Sequence, residues 1–592
     1  MAKRTKDLSA FPATPFENIA LTLSGGGFRS AAFTLGVLTM LHRLRFSPSE
    51  TLLHQVRYLS TASGGTITGA LYALHCHKGM LGDHPPDEWS FPRFYRKLTD
   101  LMEGDKLLKN AFSHMSSSSG DKARNLINGF ARAYDSDLLF NGATFGTMWE
   151  DTSRSPLREV CFNATEFHTG LAFRFQTDGV NKGKFDERIG NRFLFIADKT
   201  VAKRVKLADI LAASSCFPAG FEPIVFPQDF SHSELSAEEL LAGLAHDAKQ
   251  NESAPPVQVG LMDGGIADNQ GIASFLLADR RGNKTPGRKF GLVIVSDVSS
   301  HFMKSYRVPT EKKNGFWSMV SLHLLRRYLL IANISLAAAL VAGLFCSWPA
   351  GALAGTGIVC GVHLTLGAAY FGLKKLLPGQ GGGSWDKMFR RYLPHFGKIR
   401  VSTLLQMMRA RASSVLSLTT DVYLKRIRGL IYGELYKDPR WDFGRISNMV
   451  YDLSRTNAKL RNRDLKEASD PDRTHPPIPA DWFFTPCDAI QQVAEKAYGM
   501  STTLWFTEAE KKDRILAHLI ACGQFTTCYN LHRYACELES ALPEATVSAE
   551  NRERIADIRR QLEADWSRFC QDPFFLYQES EERYAPLPGA QA

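Results

Sequence analysis

Three short stretches hold residue types that could do chemistry together: Ser24-Gly25-Gly26-Gly27-Phe28-Arg29, Thr61-Ala62-Ser63-Gly64-Gly65 and Met262-Asp263-Gly264-Gly265. Consecutive glycines between an apolar run and a helix-like one present a chain of unobstructed backbone N–H groups beside a helix N-terminus, where an anion is stabilised. That anion can be a bound phosphate or the transient oxyanion of ester hydrolysis, and a plain tight turn uses the same residues. A phosphate loop would add Lys-Ser or Lys-Thr, and a dinucleotide loop would need spaced glycines with an acidic residue about twenty positions on. The stretch has neither lysine nor that spacing.

Ser63 sits where an apolar strand pattern, Val56 to Ala62, turns sharply into a helix pattern, with Gly64 and Gly65 behind it. A nucleophile elbow holds its serine in a strained strand-to-helix turn and needs small neighbours. Gly65 matches that pattern, whereas Thr61 stands where G-x-S-x-G has glycine. Ser60 is a rival with poorer flanks, Tyr58 and Ala62. Asp263 ends another apolar strand, and an aspartate at a strand end can accept a serine proton directly. Asp297, closing Val-Ile-Val-Ser-Asp, is a rival base, and a turn-capping role for Asp263 stays open. His54, His75 and His77 flank the elbow and could suggest a triad, but nearby sequence does not place them at strand ends.

These residues need a scaffold, and strands alternating with helical patterns through about residue 300 predict an α/β fold with a largely parallel sheet. The chain has 592 residues and a formal net charge of +10, which fits nucleic acid, an anionic membrane surface or plain solubility, so the location of the charges decides. From Tyr328 to Leu373 there is no Asp, Glu, Lys or Arg, a run long enough for two helical spans with a turn near Trp348-Pro349. Arg326 and Arg327 before it and Lys374 and Lys375 after it place both ends in the cytoplasm. A buried helical pair is the alternative. Residues 386–428 carry ten basic residues against two acidic ones, which beside a membrane segment reads as attraction to anionic headgroups, and otherwise as a solvated helix face.

The ten cysteines include no CxxC pair, so neither a disulfide framework nor a zinc ribbon is expected, and the N-terminus lacks the apolar stretch of a secretion signal. No metal and no cofactor are expected. Residues 548–572 form an amphipathic helix with Ile555, Ile558, Leu562 and Trp566 on one side, packing on the core or on another copy, so a homo-oligomer stays open.

Taken together, the three stretches resemble the patatin-like phospholipase family, kin to cytosolic phospholipase A2. Residues 162–175, 207–224, 268–271 and 501–524 resemble bacterial members as well. The resemblance implies that Gly25, Gly26 and Gly27, with the following Arg29, form an oxyanion loop, and that Ser63 is a nucleophile paired with Asp263 in a Ser-Asp dyad, with Thr61 and Gly65 at its elbow. It departs from the family pattern at Ser24, where many members have aspartate, and at Thr61. The fold so implied is a three-layer α/β/α hydrolase core over 16–300, after an N-terminal tail (1–15). A basic segment (301–327), a transmembrane hairpin (328–373) and a Gly-rich, basic linker (374–400) follow, then a helical region completing the core (401–540) and a C-terminal helix and tail (541–592). The expected protein is a two-span, membrane-anchored acyl hydrolase whose cytoplasmic catalytic domain acts on phospholipid or another lipid ester at an anionic membrane surface, with no nucleic-acid partner. An inactive membrane scaffold or sensor on the same fold is the alternative.

Overall fold

The protein is described by a computed structural model at residues 4–116, 122–149, 155–177, 189–218, 220–246, 258–281, 289–299, 316–346, 398–543 and 547–583, with isolated positions between them. Strand β1 (Ile19–Leu23) runs through the glycine loop into helix α1 (Gly27–Arg43), and β2 (Val56–Ala62) runs through Ser63 into α2 (Gly64–His77). Next come β3 (Glu159–Glu166), β4 (Ala172–Gln176), β5 (Ile189–Gly190) and β6 (Leu194–Ile196). Helix α3 (Leu207–Ser215) precedes β7 (Ile224–Phe226), β8 (Leu244–His246) and β9 (Val259–Asp263). Helix α4 (Ile272–Arg280) and β10 (Leu292–Asp297) complete the first half. Later come α5 (Leu322–Phe345), α6 (Val401–Ser417), α7 (Leu424–Lys437), β11 (Arg445–Met449), α8 (Ile515–Ala541) and α9 (Ala549–Gln571).

The eleven-stranded sheet has the order β11-β10-β1-β2-β3-β4-β5-β6-β8, with β9 pairing β3 and β7. The four pairings from β11 to β3 are parallel and the other six are antiparallel, so the sheet is mixed rather than mostly parallel. The reason is connection length. Only residues 167–171 join β3 to β4, too few for the crossover that parallel neighbours require.

Alternation along the parallel strands supplies two buried faces. Leu21, Leu59 and Ile294 face the large cluster that includes α1, α2 and α8. Ala20, Tyr58, Val293 and Val295 face a smaller cluster with Phe275 of α4, Leu435 of α7 and Trp441. Helices therefore cover both faces, giving three layers. Helices α1 and α8 cross at Gly36 and Gly523, where a methyl group on Gly36 would strike the Ile520 carbonyl and one on Gly523 the Phe33 carbonyl. The apolar stripe of α9, Ile555, Ile558, Leu562 and Trp566, is buried in the large cluster.

The chain divides into two units, Met1–Met303 with Thr420–Ala592, and Lys304–Thr419. Within the second, α5 includes a stretch, His323–Gly343, long and apolar enough to cross a membrane, with mean hydropathy 1.6. It is the one such helix among the described residues, and its Leu330, Ile331, Ile334 and Val341 are exposed. The expected hairpin is not supported: its first span falls in α5, and the second, near 350–373, lies almost wholly outside the described residues. Helix α6 starts where the Val401 N–H donates to the Val320 carbonyl at 2.9 Å, and it exposes Leu405, Met408, Val415 and Leu416 beside Arg409 and Arg411.

Candidate active site

The site is built on β3. Residues 159–163 of that strand pair in parallel with β2, Ala62 opposite Asn163, while residues 164–166 pair antiparallel with β9, Asp263 opposite Ala164. Because β4 takes up the other edge across residues 161–165, β2 and β9 share one edge of β3 and meet with their C-terminal ends facing. Ser63 follows the last residue of β2 and Asp263 is the last of β9, so adjacent register positions bring serine and carboxylate together. The Ser63 hydroxyl is near enough to the Asp263 carboxyl group to hold its titration down.

Ser63 has φ 50° and ψ −123°, a backbone conformation that costs a non-glycine residue roughly 1–3 kcal/mol. Contacts around the turn hold it there. The Ser63 N–H donates to Ser214 Oγ at 3.0 Å, and Thr66 Oγ1 lies 2.8 Å from both Ser214 Oγ and Thr61 Oγ1. Thr61 is thus part of a buried hydroxyl chain that runs beneath the elbow. Its methyl group is accommodated by Gly69 one turn into α2, where a Cβ would come within 2.5 Å of Thr61 Cγ2. The departure from G-x-S-x-G is matched by a glycine on the facing helix. Gly65 permits the close seating of α2 on β1, since a Cβ there would lie 2.6 Å from the Ser24 carbonyl oxygen.

The glycine loop packs directly on the elbow. A Cβ on Gly25 would reach 3.0 Å from Ser63 Cβ, and one on Gly64 would collide with the Gly27 backbone. Gly26 at φ 144° and Gly27 at φ 57° occupy conformations that favour glycine. The loop's N–H groups divide by role. Gly25 donates to the Asn269 carbonyl at 2.9 Å and Phe28 to the Thr503 carbonyl at 2.8 Å, whereas Gly26 and Gly27 have no N–H partner among the described residues. Only the latter two are available to an anion, so Gly25 differs from the expectation for it. Arg29 differs as well: its buried guanidinium donates to the carbonyls of Met500 at 2.6 Å and Tyr498 at 3.4 Å, tying α1 to the segment before α8. Burial pulls it down to about 10.

Burial raises the Asp263 carboxyl to about 6, a value kept from going higher by the Ser63 hydroxyl and by the Gly265 N–H, which donates to Oδ1 at 2.6 Å. A base with such a value is ionised at neutral pH yet holds its proton far better than a surface aspartate. The rivals are committed elsewhere. Ser60 accepts from Asn163 Nδ2 at 3.1 Å within the sheet, and Asp297 is ion-paired with Arg428 at 2.9 Å. His54 bonds the Leu81 carbonyl, His75 that of Trp89 and His77 that of Ala73. Sequence reasoning missed Asn269. Its carbonyl receives the Gly25 N–H, and its Oδ1 lies where a Cβ on Gly25 or Gly265 would come within 2.5 and 2.6 Å, so it fills the space between glycine loop and aspartate turn. Its place in Asp268-Asn269-Gln270-Gly271, just after Asp263, was the available signal.

Residues 21–276 match the family described as patatin-like phospholipase, and they form a patatin-like phospholipase domain. Among solved structures, human GIVD cytosolic phospholipase A2 is similar at 14% identity over 49% of this chain and 43% of that chain, with a TM-score of 0.25. VipD from Legionella pneumophila is similar at 11% identity over 97% of this chain and 89% of that chain, with a TM-score of 0.23. The match thus spans less than half the length of the human enzyme. No curated protein matches the chain.

Proposed function

We propose that the protein is a lipid acyl hydrolase in which Ser63 is the nucleophile, Asp263 the base and the Gly26 and Gly27 N–H groups the oxyanion donors. The single observation that carries this reading is the juxtaposition of Ser63, held at φ 50° on a strand-to-helix turn, with the buried Asp263 at the facing end of β9. Asp263 accepts the Ser63 proton as Oγ attacks the ester carbonyl carbon. The carbonyl oxygen takes up the electron pair and is stabilised by the glycine-loop N–H groups. Collapse of the tetrahedral adduct expels the alcohol, which leaves with the proton from Asp263. Water, deprotonated by the same carboxylate, then releases the fatty acid from Ser63. One oxyanion donor is typically worth roughly 3 kcal/mol, so the loop matters about as much as the base.

The family match supports a lipid ester as substrate. The exposed apolar face of α5 and the basic residues of 386–428 support attachment to an anionic membrane, with both ends of 328–373 in the cytoplasm. Hydrolysis of a short-chain p-nitrophenyl ester by the full chain, and its loss in Ser63→Ala, tests the chemistry. Extraction of membranes with alkaline carbonate tests the anchor, and release without detergent contradicts it.

A further inference from the structure

The glycine loop is held by hydrogen bonds outside the Ser63–Asp263 pair, and these form a connected path to α7. Ser24 and its neighbours lie on the end of β10: the Ser24 N–H donates to the Ser296 carbonyl at 2.9 Å, and the Val298 N–H donates to Ser24 Oγ at 3.0 Å. A Cβ on Gly26 would lie 2.5 Å from Val298 Cγ2, so this strand end is the floor against which Gly26 is pressed. Asp297 fixes that floor. Its Oδ1 accepts the Ser299 N–H at 2.7 Å, Ser299 Oγ accepts from Asn269 Nδ2 at 3.1 Å, and the Asn269 carbonyl accepts the Gly25 N–H at 2.9 Å.

From the other side, Asp297 Oδ2 is paired with Arg428 Nε at 2.9 Å and accepts from Tyr432 Oη at 3.1 Å and Gln270 Nε2 at 3.3 Å. Arg428 and Tyr432 stand one turn apart on α7. A fully buried carboxylate is tolerable only with such partners, and loss of one leaves an uncompensated charge that shifts its surroundings. Burial alone would raise the Asp297 carboxyl, but the Arg428 guanidinium, with Ser299 and Tyr432, holds it below its ordinary value.

We propose that Asp297, clamped by Arg428 and Tyr432, is a positioning residue that sets where the Gly26 and Gly27 N–H groups point relative to Ser63. The proposal rests on the reading of Ser63 as nucleophile. Donors built into a rigid frame act on the developing oxyanion, so a small displacement of the loop lowers turnover without weakening ground-state binding.

The test uses the full chain and four variants: Ser63→Ala as control, Asp297→Asn, Arg428→Lys and Tyr432→Phe. Hydrolysis of a short-chain p-nitrophenyl ester is measured with inhibition by a trifluoromethyl ketone, whose hemiketal oxygen would occupy the same donors. Asp297→Asn is expected to lower kcat by roughly tenfold or more with KM within about twofold, and Tyr432→Phe and Arg428→Lys by less. The inhibition constant is expected to rise in step with the fall in kcat/KM across the series, a correlation that general loosening of the fold does not produce. If Asp297→Asn does not fold, the other two variants read the same correlation. Unchanged kcat in all folded variants, or losses confined to KM, overturns the positioning role while leaving Ser63 in place. Hydrolysis undiminished in Ser63→Ala, or no hydrolysis by the parent chain, overturns the site reading and this proposal with it.

Discussion

Ser63 and Asp263 lie side by side because the strands that carry them end face to face at Asn163 and Ala164, consecutive residues of β3. Neither side chain depends on a long loop for its placement. Serine and aspartate are therefore set by sheet register, which a one-residue slip would destroy for the whole strand.

Ser63→Ala and Asp263→Asn are each expected to lower kcat/KM on a soluble ester by about a thousandfold or more, and the double variant no further, because the two groups act as a unit. Steady-state kinetics on the three variants checks this. Multiplying losses would mean that the two residues act separately.

The pH dependence has opposite signs for activity and stability. With Asp263 raised to about 6, the proposed base is ionised above that pH, so kcat/KM is expected to rise with pH through about 6. For stability, a carboxyl raised in the folded state binds its proton more tightly there than in the unfolded chain. Its contribution is favourable at low pH and declines as pH rises from its ordinary value of 3.8 to about 6. Denaturant titrations across this window are expected to show a less negative slope against pH in Asp263→Asn than in the parent. Asp452, also raised to about 6 by burial, keeps part of the slope in both.

Gly69→Ala is expected to destabilise the protein by about 1–3 kcal/mol, since the added methyl would lie 2.5 Å from Thr61 Cγ2 and 3.2 Å from Leu23 Cδ1. Thr61→Ser removes the opposing methyl and keeps the hydroxyl for Thr66. Combined with Gly69→Ala it should recover much of the loss, and strict additivity in chemical denaturation would contradict the pairing.

Replacing 328–373 with a short Gly/Ser linker is expected to leave hydrolysis of a water-soluble short-chain ester intact and to remove most activity on bilayer phospholipid. The proposed anchor would concentrate the enzyme beside its substrate, and the deletion would remove that advantage alone. Loss on both substrates would make the segment part of the fold, and retention on both would mean that the substrate is not a membrane lipid.

Much of the candidate site was legible because its signals are local. Glycines between a strand pattern and a helix pattern marked the loop, Ser63 stood at a second such turn, and Asp263 closed an apolar run. What pairs with what was not local. The antiparallel entry of β9 is fixed by β3, almost a hundred residues earlier, and nothing near Asp263 encodes that direction. The same holds for Arg29, whose position beside the glycines suggested the oxyanion loop while its acceptors, Tyr498 and Met500, come from a segment more than 450 residues later. Gly25 is a related case: its N–H is taken by the Asn269 carbonyl, a contact that only the folded chain creates.

The most direct measurement is covalent labelling of the full chain with a fluorophosphonate, followed by mass spectrometry of the modified peptide. The account predicts a single adduct on Ser63, slowed strongly by Asp263→Asn and absent in Ser63→Ala. An adduct on Ser60 or any other serine, or undiminished labelling of Ser63→Ala, would contradict it.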